Sequence, residues 1–176
     1  MEMEKATAEG SNAVKQEFIA LWGNFGSQWG INRSMAQVHA LLLASEKPLS
    51  TEEIMDALKI SRGNANMNIR DLLNWNLVYK KSIIGERREF FDAEKDMWEV
   101  AKRIVKERKR REIEPLIQHL NEIQNKLDKK TSEEKEFSKT ITNINQMVSK
   151  LNSISDTLIK ADENAFFSMF LKYLKK

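Results

Sequence analysis

Asparagine amides, arginine guanidinium groups and a methionine thioether crowd one short run, Ser61-Arg62-Gly63-Asn64-Ala65-Asn66-Met67-Asn68-Ile69-Arg70. These groups suit the edges of base pairs. An asparagine can pair bidentately with adenine N6 and N7, an arginine with guanine O6 and N7, and a methionine can touch a thymine methyl. Arg62, Asn64, Met67 and Arg70 are the expected base contacts, with Asn66 and Asn68 at the flanks. Ser61 can cap a helix beginning here, and the amides of that helix end can hold a phosphate. Further on, Lys80, Arg87 and Arg88 offer cations for phosphate or minor-groove contact. The plainer reading of the same residues is a polar helix surface followed by a solvated hairpin.

The surrounding sequence builds the elements that would position these side chains. Ser50-Thr51-Glu52-Glu53 reads as a capping box that starts a short helix ending near Leu58. The recognition helix is expected over residues 61–75, with Ala65, Ile69, Leu72 and Leu73 turned inward. A strand over Leu77–Ile84, a turn at Gly85-Glu86-Arg87 and a return strand over Arg88–Ala93 then read as a wing covering 77–93. Ahead of these elements Asn32 can cap a helix whose buried face is Met35, Val38, Leu41, Leu42 and Leu43. An earlier helix is expected from Ala13 to Trp29, after a frayed start up to about Asn12. Gly23, Gly26 and Gly30 interrupt it, at about 1 kcal/mol each against alanine inside a helix, so close approach of another helix is expected.

From Asp96 to Lys130 the pattern predicts one long helix, kinked at Pro115. Thr131-Ser132-Glu133-Glu134 is a second capping box, opening a helix with Phe137, Ile141, Ile144, Val148, Leu151 and Leu158 in heptad register. With Ile113, Leu116, Leu120, Ile123 and Leu127 before it, this predicts an antiparallel hairpin with a two- or three-residue connection. A terminal helix over Glu163–Leu174, rich in phenylalanine, asks for a cover, either a partner chain or the first helix. The fold class expected is mainly α with a small β-wing: a winged helix-turn-helix whose N- and C-terminal helices form a dimerisation region. The divisions are 1–31 for an N-terminal packing helix, 32–95 for the winged helix and 96–176 for dimerisation.

Composition narrows the classes. The chain of 176 residues has no cysteine, which excludes disulfides, thiolate catalysis and cysteine-held metals and fits the cytoplasm. No apolar run approaches the roughly 18 residues of a membrane span, and the N-terminus does not read as a signal peptide. The net charge is only +3. Lys102, Arg103, Lys106, Arg108, Lys109, Arg110 and Arg111 concentrate the positive charge, but they point all round a helix and read as a solvated field. His39 and His119 belong to no metal spacing, and no catalytic constellation or cofactor motif is present. Trp22, Phe25 and Trp29 could form a cation–π cage for a quaternary ammonium effector, against the simpler reading of core or dimer packing.

These motifs resemble the GbsR-type branch of the MarR superfamily. The likeness rests on Gly26, Gly30-Ile31-Asn32-Arg33, Leu41-Leu42-Leu43, Pro48-Leu49-Ser50, Glu53-Ile54 and Ala57-Leu58. It continues through the run from Ile60 to Leu72, then Trp75, Leu77-Val78 and Gly85-Glu86-Arg87-Arg88, covering roughly residues 20 to 100. The resemblance implies a cytoplasmic homodimer that binds an inverted-repeat operator in double-stranded DNA and usually represses. It carries DNA contacts onto Ser61, Arg62, Asn64, Met67, Asn68, Arg70 and Arg87. Some members regulate glycine-betaine synthesis or uptake and respond to choline, but no ligand motif matches here. The competing expectation is a winged helix that binds protein rather than DNA.

Overall fold

The computed structural model describes residues 2–128, 130–164 and 168. The terminal helix expected over 163–174 therefore lies almost entirely outside the described residues. The chain divides into two compact units, Met1–Met97 and Trp98–Lys176.

In the first unit, α1 (Glu2–Gln28) packs along α2 (Arg33–Ala44). It starts well before the expected residue 13, because Glu2, Glu4, Lys5, Ala6 and Ala8 are good helix formers. The glycines serve the contact between the helices. A Cβ on Gly26 would lie 2.7 Å from the Cβ of Ala36, and one on Gly23 would lie 2.7 Å from Cγ of Gln37. The N-terminal helix lies in the same compact unit as the elements that follow it.

Local chemistry sets the next boundaries. Asn32 caps α2, its Oδ1 accepting from the amides of Ser34 at 2.9 Å and Met35 at 3.2 Å. The last turn of α2 has no cation of its own. Lys95 supplies one from a distance, its Nζ donating to the carbonyls of Leu42 at 2.6 Å and of Leu43 and Ser45 at 3.1 Å. Ser50 and Glu53 close the capping box that begins α3 (Thr51–Leu58). The Ser50 amide at 2.7 Å holds the Glu53 carboxyl below its usual range. Lys59 turns the chain in the left-handed region, φ 55°, and Ser61 then caps α4 (Arg62–Asn74).

The helices meet in a core of Val38, Leu42, Ile54, Ala65, Ile69 and Leu72. Ile54 has no solvent exposure, so Ile54→Ala would cost about 2–5 kcal/mol. Three antiparallel strands complete the unit: β1 (Leu49–Ser50), β2 (Val78–Lys81) and β3 (Phe90–Ala93), in the order β1-β3-β2. Leu49 stands opposite Phe91, and Val78 opposite Ala93. β1 was not expected from sequence. The two wing strands are shorter than expected, because residues 82–89 are all exposed and have no face to bury, whereas Phe90, Phe91 and Ala93 are buried.

The second unit is helical. Its first helix, α5 (Met97–Arg108), passes into a π-turn over Lys109–Ile113 and then α6 (Glu114–Lys126). The expected kink takes this form: the Glu114 amide donates to the Lys109 carbonyl, five residues back, just before Pro115. The wider turn accommodates a ring that would otherwise strike the carbonyl four residues behind it. Residues 127–131 connect to α7 (Ser132–Lys160), a longer link than expected, and Thr131 and Glu134 form the second capping box. Leu120, Ile141 and Val148 are the buried seam of this hairpin, with Ile113 and Ile117 against it. Asn145 Nδ2 donates to Asn121 Oδ1 at 2.6 Å and Gln124 Nε2 to Ser138 Oγ at 2.7 Å, which pins the register. Phe137, Ile144 and Leu151, expected in the same heptad, remain exposed. No helix among the described residues is long and apolar enough to cross a membrane.

Candidate nucleic-acid interface

α4 buries one face and presents the other. Ala65, Ile69 and Leu72 anchor it, while Ser61, Arg62, Asn66, Met67 and Arg70 are exposed and Asn64 is half-buried. The Asn64 amide donates to Ser61 Oγ at 3.3 Å, so the cap orders the first turn of this surface. Met67 is 52% exposed, an unusual position for a methionine.

Asn68 is a correction. It is 1% exposed, and its Nδ2 donates to the Asn64 carbonyl at 2.8 Å and to Asn64 Oδ1. The reason is angular: residue 68 follows Ala65 by three and precedes Leu72 by four, so it falls on the buried side. It cannot reach a base from there. It steadies the Asn64 side chain instead.

The wing meets α4 in a cleft of about 320 Å³ lined by Asn66, Ile69, Arg70, Leu73, Lys80, Glu89 and Phe91. Arg70 and Lys80, expected to act separately, are therefore brought together. Lys80 is paired with Glu89 at 2.6 Å. Arg62 is likewise paired with Glu52 at 2.9 Å. Arg88, expected at the wing tip, folds back: it donates to Glu86 Oε2 at 3.1 Å and lies 5.4 Å over the Phe90 ring. Arg70 and Arg87 have no such partner among the described residues. Sequence reading missed two members of this surface. Glu89 is an ordinary wing residue until the fold sets it against Lys80. Ile84 occupies the corner of the wing turn, where Arg87 had been expected.

Two other sequence candidates take different forms. Trp22, Phe25 and Trp29 make a ladder along the end of α1 and into the turn after it, with ring centroids 6.0 Å and 5.5 Å apart in sequence order. A cage needs rings that converge on one point, whereas residues 22 and 29 are separated by about 10 Å of helix rise. Trp22 instead packs on His39, 6.2 Å between centroids. Burial, with a smaller push from Lys95, lowers the His39 pKa to about 4. The cluster from Lys102 to Arg111 is largely satisfied internally. Glu107, 7% exposed, binds Arg110 at 2.6 Å and Arg111 at 2.5 Å, and these guanidinium groups hold its carboxyl below the usual range. Lys102 meets Glu99, Arg108 meets Glu112, and Lys109 meets Asp156 and Glu114.

Comparison with solved structures settles the fold. A crystal structure of a transcriptional regulator superposes with a TM-score of 0.64 at 17% identity, over 82% of this chain and 95% of that one. The fold is a winged helix. Two S. aureus MepR structures align with lower scores. A variant bound to an oligodeoxyribonucleotide has a TM-score of 0.39 at 15% identity, over 85% of this chain and 96% of its own. MepR in a DNA-binding conformation has a TM-score of 0.38 at 17% identity, over 85% and 95%. These two superpositions are too loose to add to the first. No protein-family model matches the chain, and no curated protein matches it significantly.

Proposed function

We propose that this winged helix is a sequence-specific DNA-binding transcriptional regulator of the GbsR-like branch of MarR proteins. It acts in the cytoplasm as a homodimeric repressor on an inverted-repeat operator and is released by a small-molecule effector. The observation that carries the reading is the cleft that sets Asn66 and Arg70 of α4 against Lys80 of the wing, beside the exposed Met67. A helix about 10–12 Å across fits a major groove about 12 Å wide, with the wing left over the adjacent backbone.

In this reading Arg62, Asn64, Asn66, Met67 and Arg70 contact base edges, and Ser61, Lys80, Arg87 and Arg88 contact phosphate or the minor groove. The exposed row of Phe137, Ile144 and Leu151 supports a second copy as the partner of the helical hairpin. Two copies would place their recognition helices roughly 34 Å apart, one turn of DNA. An effector site at Trp22, Phe25 and Trp29 would need walls beyond the ladder those rings form.

The test is a fluorescence-anisotropy titration of the full chain against labelled duplex from upstream of its own gene, with scrambled duplex as competitor. A complex that resists the competitor and weakens steeply with salt is expected. Its absence would leave the winged helix as a protein-interaction module. Sedimentation at micromolar concentration should give a dimer.

A further inference from the structure

The corner of the wing is built from the wrong kind of residue for a bare turn. The Glu86 amide donates to the Ile83 carbonyl at 3.1 Å, and Gly85 has φ +88°. That is the pattern of a type II turn with Ile84 at its first corner and Gly85 at its second. Such corners favour proline, glycine and short polar residues. Here Ile84 is fully exposed, and Ile83 is 40% exposed. A Cβ on Gly85 would meet nothing within 4 Å, so the turn stands clear of the fold on that side too. Lys81 and Arg87 flank it, both exposed and neither with an ion pair among the described residues.

An apolar tip between two unpaired cations fits an apolar protein surface poorly, because docking there would strip water from both charges. It fits a polyanion that has an apolar interior within reach. Duplex DNA is such a partner. Its minor groove, about 6 Å wide, admits a two-residue turn but no helix, and its potential attracts arginine and lysine. Isoleucine is among the side chains that wedge between base pairs and partly unstack them. We propose that Ile84 is a minor-groove wedge, flanked by Lys81 and Arg87 as phosphate contacts, that opens one base step beside each recognition-helix site. The proposal rests on the DNA-binding reading above. It adds a source of specificity that touches no hydrogen-bonding edge: flexible pyrimidine–purine steps open most readily and should be selected under the wing.

The experiment uses the full chain and duplexes that it retains from a randomised pool, with 2-aminopurine placed in turn at each position flanking the selected core. Binding should raise the fluorescence at one step per half-site. Ile84→Ser should abolish that rise and weaken binding about tenfold, while Ile84→Met keeps both. Circular dichroism should be unchanged, since the side chain touches nothing in the fold. Arg87→Ala should weaken binding yet keep the fluorescence rise at saturation. If Ile84→Ser binds the same duplexes with unaltered affinity and fluorescence, the wedge is wrong and the DNA-binding reading survives. If that variant alters only self-association, the tip is a contact between copies and the wedge is again wrong. If the wild type retains no duplex from the pool, both readings fall.

Discussion

The two units handle charge differently. In the first, Arg70 and Arg87 stand exposed without a carboxylate among the described residues, and a neutral histidine is buried with no hydrogen bond to its Nε2 from any of them. In the second, the densest cationic run of the chain is spent on Glu99, Glu107, Glu112, Glu114 and Asp156. Charge density along a sequence is therefore a poor guide to charge available for a partner. The sparse region pairs Arg62, Lys80 and Arg88 with single exposed glutamates, yet leaves Arg70 and Arg87 without an ion pair among the described residues.

The largest expected effect is on stability against pH, and it separates the units. His39 has a folded pKa of about 4 against an ordinary 6.5. As pH falls from about 6.5 towards 4, the unfolded chain takes up a proton that the folded one refuses, so the first unit loses about 3 kcal/mol across that window and nothing above it. Glu107 behaves differently. Its folded pKa lies below 4.5, so its contribution is complete above that value and is lost only as pH falls further. Urea unfolding at pH 7, 5.5 and 4.5, followed through Trp22, should show a fall that His39→Leu flattens. An unchanged slope in that variant would break the contrast.

The second effect concerns binding. Arg70→Ala and Arg87→Ala should each weaken DNA affinity about tenfold and lower the salt slope by about one, and together they should approach a hundredfold. Replacing Lys102, Arg103, Arg110 and Arg111 together by glutamine should cost less affinity than the Arg70/Arg87 pair, although it takes the net charge from +3 to about −1, because these cations already face Glu99 and Glu107 and would act on DNA only through a screened long-range field. A larger loss in the cluster variant than in the Arg70/Arg87 pair, read by anisotropy at two salt concentrations, would reverse the assignment.

What the sequence made legible was local. Asn32, Ser50, Ser61 and Thr131 all cap the helices expected of them, because a cap is decided within four residues. Gly23 and Gly26 announced a close helix contact by their cost alone. Distant pairings stayed hidden. Lys95 caps a helix that ends some fifty residues earlier, and β1 exists only because Phe90 and Phe91 lie beside it. Asn68 differs for another reason: its residue type matches Asn64 and Asn66, but its spacing from Ala65 and Leu72 puts it inside. The site was legible as a list of side chains and not as a set of pairs, since nothing in the order of residues says which acid will meet which base.

Lys80 and Glu89 allow the smallest and sharpest test of that point. Their 2.6 Å pair is exposed on both sides, so it stabilises the fold by no more than about 1 kcal/mol. A phosphate can take the place of the carboxylate at that cost, in the cleft that Lys80 and Glu89 line together. Glu89→Gln should therefore raise affinity for any duplex by up to about fivefold and steepen the salt slope by about one. Lys80→Met should cost about twofold in the wild-type background, where part of its charge is already engaged, and about fivefold beside Glu89→Gln. Additive effects in this double-mutant cycle would mean that Glu89 repels DNA at long range without occupying the place of a phosphate. The wing would then differ from the cluster of the second unit only in how many acids it carries, and not in whether they yield.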